Sequence, residues 1–341
     1  MSKPVAPVVV TMGDPAGIGG DILLKAWTEH RHDLPPFFVI DDPARLGALA
    51  LQLKLDCYIQ SIASPGDALD HFSTALPVLP VDPPLTKPAC NGQPDTKNVA
   101  AVIGAIDTAV RLAMNGEASA MVTNPIHKSV MQDAGFKFPG HTEYLRHLSG
   151  PHAQSIMMLA SANVQNGLRV VPVTIHLAHA DAASSLTTEA IIRCGEITAQ
   201  ALVKDFGIAS PRLAVAALNP HAGEDGKFGD EESRIIAPAI AALKSRSIKA
   251  FGPLPADTLF HTDARANADA VLCMYHDQAL IPLKALDFYG GVNVTLGLPF
   301  VRTSPDHGTA LDLAGTGIAR CDSLVAAIKM AADIAAKRIQ T

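Results

Sequence analysis

The chain predicts an α/β fold with a largely parallel sheet, and three observations carry this. Short β-branched apolar runs alternate with amphipathic stretches along its length. Glycine- and asparagine-rich turns stand where the runs end. The 341 residues, 48% of them hydrophobic, are enough for two ordinary domains. Alternating strands and helices place helices on the faces of a parallel sheet.

The elements follow in order. Residues 7–12 read as a strand, Gly13-Asp14-Pro15-Ala16-Gly17-Ile18-Gly19-Gly20 as a turn and 21–29 as a helix. A strand is expected at 37–40, then a helix opened by Asp41-Asp42-Pro43, an acidic cap with an early proline. A further strand is expected at 57–61. Residues 77–94, crowded with proline, read as a surface excursion. In 98–114, Val99, Ile103, Ile106 and Val110 mark one helix face. The strand at 118–122 ends in Asn124-Pro125, and that at 213–218 ends in Asn219-Pro220; Asn suits a helix cap and Pro the first helical position. Strands are expected at 155–159, 169–174, 271–275 and 292–296, and helices at 187–206, 231–245 and 323–339.

Composition narrows the function. Charged residues make up 18%, the formal net charge is -6, and there is no basic tail, so a nucleic-acid partner is not expected. The cysteines, Cys57, Cys90, Cys194, Cys273 and Cys321, are odd in number and scattered, which predicts reduced thiols and a cytoplasmic protein. No apolar run reaches the roughly 20 residues of a membrane span, and the first seven residues lack a signal-peptide core.

Candidate chemistry begins with three histidines, each following an apolar strand: His176 in Val-Thr-Ile-His-Leu, His221 in Leu-Asn-Pro-His-Ala-Gly and His276 in Met-Tyr-His-Asp-Gln. Side chains just past strand ends converge on one crevice in open α/β sheets. Three imidazoles meeting there make a metal site, better suited to Zn²⁺ or Co²⁺ than to Mg²⁺. A single histidine at a strand end is more often a hydrogen-bonded structural residue, and the chain has 13 of them. Asp277 follows His276 and is a candidate for orienting a ligand or handling a proton, with Asp257 the weaker alternative.

Lys284, Asn293 and Arg302 form a second set, able to hold phosphate and carboxylate groups. Arg302 follows the apolar 298–301, expected as a strand; a charge placed there needs a partner. In Pro139-Gly140-His141-Thr142-Glu143, Thr142 is a candidate helix cap with His141 facing an anion, against a plain capping turn. The 13–20 turn lacks the spacing of the dinucleotide fingerprint, which leaves tight-turn packing and anion binding as equal readings. The long polar loop from Asp306 to Gly317 reads as a ligand loop.

Five strings in order resemble the 4-hydroxythreonine-4-phosphate dehydrogenase family: Met12-Gly13-Asp14-Pro15-Ala16-Gly17-Ile18-Gly19, Pro139-Gly140-His141-Thr142-Glu143, Leu218-Asn219-Pro220-His221-Ala222-Gly223-Glu224, Tyr275-His276-Asp277-Gln278 and Arg302-Thr303-Ser304-Pro305-Asp306-His307-Gly308-Thr309-Ala310. The resemblance runs from about residue 8 to the end. It implies an isocitrate/isopropylmalate dehydrogenase-like fold of two interleaved three-layer α/β domains with a deep cleft. The boundaries expected are 1–134 with 297–341, and 135–296.

The resemblance also implies oxidation of 4-(phosphooxy)-L-threonine in pyridoxal phosphate biosynthesis, with NAD (NADP being the alternative) and one divalent metal, Zn, Co or Mg. The product loses CO₂ to give 3-amino-2-oxopropyl phosphate. Metal ligands fall on His176, His221 and His276. Substrate contacts fall on His141, Thr142, Lys284, Asn293 and Arg302. NAD falls on a loop containing His307, Gly308, Thr309 and Asp312. A homodimer with a shared active site is implied. Gly20-Asp21 departs from the Pro-Glu common in the family. The rivals are a 4-phosphoerythronate or 4-phosphothreonate dehydrogenase, a metal-dependent sugar-phosphate hydrolase or aldolase, and a phosphate-ligand sensor.

Overall fold

A computed structural model describes residues 6–340. The expectation about a signal segment falls largely on residues 1–5, which lie outside the described residues. Among the described residues no helix is long and apolar enough to cross a membrane.

The strands are β1 (Val8–Thr11), β2 (Phe37–Asp41), β3 (Ile59–Ser61), β4 (Leu76–Pro80), β5 (Ala120–Thr123), β6 (Ile156–Ser161), β7 (Leu168–Pro172), β8 (Arg212–Ala216), β9 (Lys249–Leu254), β10 (Ala270–Cys273), β11 (Val292–Leu296) and β12 (Arg302–Pro305). The α-helices are α1 (Gly19–His30), α2 (Pro43–Leu53), α3 (Ala68–His71), α4 (Val99–Met114), α5 (Lys128–Asp133), α6 (His141–Leu148), α7 (His179–Ser185), α8 (Thr188–Lys204), α9 (Ala237–Ser245), α10 (Thr262–Ala266), α11 (His276–Leu286) and α12 (Asp322–Gln340). The fold is α/β, as expected.

The chain divides into two compact units: one runs up to Ser155 and resumes over Leu298–Ala336, and the other comprises Ile156–Gly297 and the chain from Lys337. In the first unit the strand order is β3-β4-β2-β1-β5-β12, and every pair is parallel. Val8, Val9 and Val10 of β1 are buried between β2 and β5, which suits a β-branched run covered on both faces. Helix α4 packs Val99, Val102, Ile106 and Val110 into the core with Met121 and Phe38, while Ile103 is only partly buried. Asp42 caps α2 by accepting from the backbone N–H groups of Ala44 and Arg45, with Pro43 in the first turn.

In the second unit the order is β11-β6-β7-β10-β8-β9. The β7/β10, β10/β8 and β8/β9 pairs are parallel, and β6 runs antiparallel to both β11 and β7. Its core gathers Leu159, Val170, Ala214, Val271 and Leu283.

Several local expectations are corrected. The proline-rich 77–94 opens with a true strand, β4, paired on both sides by β3 and β2. Asn124 caps no helix: α5 begins at Lys128, and Asn124 is fully buried with its amide turned toward the Gly19 carbonyl. Asn219-Pro220 opens a tight turn at Pro220–Gly226 with no side-chain cap, because Asn219 Nδ2 donates to Glu231 and Glu232 instead. Thr142 lies inside α6, whose cap position is Gly140. Residues 298–301 are a loop, and Arg302 begins β12 rather than following a strand.

Candidate functional site

The second unit carries the three candidate metal ligands, all in connections that leave parallel strands. His176 lies in the loop after β7 and His276 opens α11 just after β10, with their ring centroids 6.2 Å apart. Both line a cavity of about 270 Å³ with Thr174, His179, Tyr275 and Asp277. The His276 Nδ1 is 2.8 Å from Asp277 Oδ1. A carboxylate accepting from Nδ1–H fixes the tautomer and leaves the Nε2 lone pair for a cation. His221 lines an adjoining cavity of about 580 Å³ with Asn219, Asp257, Tyr275 and Gln278. His179, Ala182 and Tyr275 line both spaces. The three imidazoles thus line two cavities with shared wall residues rather than one.

Backbone geometry sets two of these rings apart from ordinary structural histidines. His176 has φ 55° and His221 φ 53°, in the left-handed region that costs a non-glycine residue roughly 1–2 kcal/mol. His221 starts a run of left-handed residues through Asp225. Glu232, buried, holds that turn: its Oε1 accepts from the N–H groups of Leu218 (2.9 Å) and Asn219 (2.8 Å), and its Oε2 from Asn219 Nδ2 (3.0 Å). Gly223 has φ 79°, and a Cβ there would stand 2.7 Å from Glu232 Oε2, so that position favours glycine. Strain concentrated at named side chains points to function. Gln278 braces the same region, with Nε2 donating to the Ala217 carbonyl (2.8 Å) and Oε1 accepting from Met274 N–H (2.7 Å).

Lys284 and Asn293 also belong to the second unit. Lys284 sits in the last turn of α11, its Nζ 5.1 Å from the centre of the Phe288 ring. Asn293 is on β11, and its Oδ1 is sealed from solvent without a hydrogen-bond partner.

The first unit holds Arg302 and His141. Arg302 is buried, and its guanidinium donates to Thr123 Oγ1 from Nη2 (2.6 Å) and Nε (3.2 Å). Burial draws its pKa down to about 10, partly offset by Glu143, so it stays cationic at neutral pH. His141 opens α6 with its Nε2 sealed and unpartnered. Burial, then the charges of Arg302 and Lys128, push its pKa down to about 3, so this imidazole is neutral under ordinary conditions. A buried arginine beside a neutral ring with a spare nitrogen is a place for an anionic, hydroxyl-bearing ligand. Thr142 stands beside His141 in the first turn of the helix.

The 13–20 turn has its backbone groups engaged internally: Asp14 N–H donates to Pro125 O (2.8 Å), Gly17 N–H to Asp14 O (3.0 Å) and Ile18 N–H to Thr309 O (3.0 Å). Gly13, at φ 68°, is where a Cβ would meet Pro125 O at 2.6 Å. Of the two readings of this turn, packing is favoured. The turn supports the 306–317 loop, in which His307 and Thr309 are half-buried and Gly308 and Asp312 exposed. Asp21 Oδ1 accepts from Gly315 N–H (2.8 Å), so the atypical Gly20-Asp21 step serves to tether that loop.

Sequence reasoning passed over Tyr275, His179, Gln278 and Lys128. The first two line both cavities. Their signal was proximity to His176 and His276, too weak to separate from background in a chain with 13 histidines.

The family described as pyridoxal phosphate biosynthetic protein PdxA matches residues 33–331. The chain belongs to that family. It is 54% identical over 337 residues to a 4-hydroxythreonine-4-phosphate dehydrogenase of Caulobacter vibrioides, covering 97% of this chain and 98% of the relative. It is 50% identical over 335 residues to a protein of the same description from Xanthobacter autotrophicus, covering 97% and 94%. A crystal structure of 4-hydroxythreonine-4-phosphate dehydrogenase from Klebsiella pneumoniae superposes with TM-score 0.85 at 36% identity, covering 97% and 99%. The family resemblance read from the five strings is therefore established over 97% of the chain, and this PdxA-family member is an oxidoreductase.

Proposed function

We propose that this PdxA-family chain oxidises the C3 hydroxyl of 4-(phosphooxy)-L-threonine with NAD and a divalent metal. The product, 2-amino-3-oxo-4-(phosphooxy)butanoate, then loses CO₂ to 3-amino-2-oxopropyl phosphate. The full-length likeness to enzymes bearing this name carries the reading.

The donor set fits a borderline divalent cation such as Zn²⁺ or Co²⁺. His176 and His276 face one cavity, His276 already has its Nδ1 side engaged by Asp277, and His221 lines the adjoining space. Such a cation, when bound, would supply Lewis acidity toward the substrate's C3 oxygen, and NAD would supply the hydride acceptor. The chain's own side chains do the rest. Arg302, held by Thr123, carries the fixed positive charge for an anionic end of the substrate. His141 acts as a neutral hydrogen-bonding ring, Thr142 offers its hydroxyl, and Lys284 and Asn293 add a cation and an amide. Asp277 positions His276, and Asp257 is left as the weaker candidate for moving a proton. His307, Gly308, Thr309 and Asp312 are proposed to contact NAD. A homodimer completes the reading.

NADH formation from 4-(phosphooxy)-L-threonine, with and without a chelator, tests it. Turnover should require the phosphorylated substrate, stop on chelation and return with Zn²⁺ or Co²⁺, and His221→Ala should not be rescued. Metal-independent turnover, or faster turnover of 4-phosphoerythronate, would overturn it.

A further inference from the structure

A second set of candidate ligands lies in the first unit, made of residues given no role above. Glu29 and His30 end α1, and Cys321 immediately precedes α12. One oxygen of Glu29, one ring nitrogen of His30 and the Cys321 sulfur all lie within 4.8 Å of one another. His30 Nε2 and Glu29 Oε2 are 4.0 Å apart. Cys321 is buried, while Glu29 and His30 keep a path to solvent.

We propose that Glu29, His30 and Cys321 bind a zinc-class divalent cation, with water in the fourth position. One thiolate, one imidazole and one carboxylate form a mixed set that suits Zn²⁺ and Co²⁺ and disfavours Mg²⁺. The local fields agree. The carbonyl end of α1 favours a cation. Cys321 caps α12, its carbonyl accepting from Val325 N–H (2.9 Å), and a helix N-terminus favours a thiolate.

The geometry is held from outside the set. Lys25 Nζ donates to the carbonyls of Gly317 and Ala319 (2.5 and 2.8 Å), which fixes the segment leading to Cys321 against α1. The neighbouring cations are already engaged. Lys25 is on those carbonyls, Arg320 is paired with Asp322 (3.0 Å), and Arg31 lies over the Trp27 ring and donates to Thr28 O. Binding exchanges the thiol proton for the cation: the S–H bond breaks, a metal–sulfur bond forms and one proton goes to solvent. Without metal, burial and the charges of Glu29 and Asp322 raise the thiol to about 11, so a free reactive thiolate is not the resting form.

The test uses the full-length His221→Ala variant, which disables the proposed catalytic site, titrated with Co²⁺ alone. One equivalent should bind with a thiolate-to-cobalt charge-transfer band in the near ultraviolet and release of one proton. Cys321→Ser should abolish the band. His30→Ala should weaken Co²⁺ binding by about 100-fold or more, since losing even an outer-shell partner costs roughly 10–100-fold. Absence of the band, or its persistence in Cys321→Ser, overturns the site. Should Cys321→Ser fail to fold, Glu29→Gln and His30→Ala carry the test, and unchanged Co²⁺ affinity in both overturns it. Loss of catalytic turnover in otherwise wild-type protein bears on the proposed reaction, not on this cation, so the two can fail separately.

Discussion

Arg302 shows how one side chain can serve both stability and binding. Its guanidinium is buried against Thr123 Oγ1, so removing it leaves a buried hydroxyl short of its donor. Arg302→Ala should lower unfolding free energy by about 1–3 kcal/mol in urea titrations. Arg302→Lys should keep most of that stability but raise KM for the phosphorylated substrate about tenfold, because an ammonium cannot reproduce a planar two-point grip. His141 makes a complementary prediction in pH. Its folded pKa lies at about 3, below the ordinary histidine value of 6.5. As pH falls through 6.5 the unfolded chain takes up a proton that the folded chain refuses. Stability is therefore lost from pH 6.5 down toward 3 and is unaffected above that window. Asp14 and Asp21, raised by burial, act in the opposite sense in acid, so the measurement is a difference. His141→Asn should show a shallower loss of unfolding free energy between pH 6.5 and 3 than the wild type. Equal slopes would mean the ring is not sealed.

At the scale of elements, the left-handed turn bearing His221 depends on Glu232. Glu232→Ala removes the acceptor for two backbone N–H groups and one amide, at about 1–3 kcal/mol for each donor left without a partner. Turnover should fall by about tenfold or more, as when a metal ligand loses its outer-shell support, while β8 and β10 persist by hydrogen exchange. If activity survives intact, the turn does not set the position of His221. A turn at His221 was legible, but its left-handed form and its carboxylate clasp were not, because non-glycine residues at positive φ run against the ordinary preference of L-residues. A parallel strand was legible where β-branched residues are continuous, as in Val8–Thr11. Strand β4 was hidden by Pro77 and Pro80, since proline in a run argues against a strand paired on both sides. Helix α11 was hidden by Pro282 within it. Of the candidate site, the residue types and their strand-end placement could be read directly. The division of the histidines between two cavities could not, because it depends on how the connecting turns are bent.

For the molecule as a whole, the end of the chain anchors the second unit. Arg338, near the end of α12, donates to Asp205 from Nε (2.6 Å) and Nη2 (3.0 Å), with the two side chains only 14% and 4% exposed. A forked arginine on a nearly sealed carboxylate is costly to break from one side, because the remaining charge stays in a poorly solvated place. Arg338→Ala should therefore cost about 3–5 kcal/mol of stability by urea denaturation. Replacing both partners removes that stranded charge, so Asp205→Ala/Arg338→Ala should be less destabilised than the sum of the two single changes, with a coupling of about 0.5–3 kcal/mol. If the single changes simply add, the pair is an incidental contact and the second unit holds together through its hydrophobic core alone. If they couple, a bond formed close to the last residues stabilises strands laid down far earlier in the chain. Deleting the residues after Ala336 should then lower stability as much as Arg338→Ala does, and should reduce protection of β7 and β8 in hydrogen exchange more than that of β1 and β2.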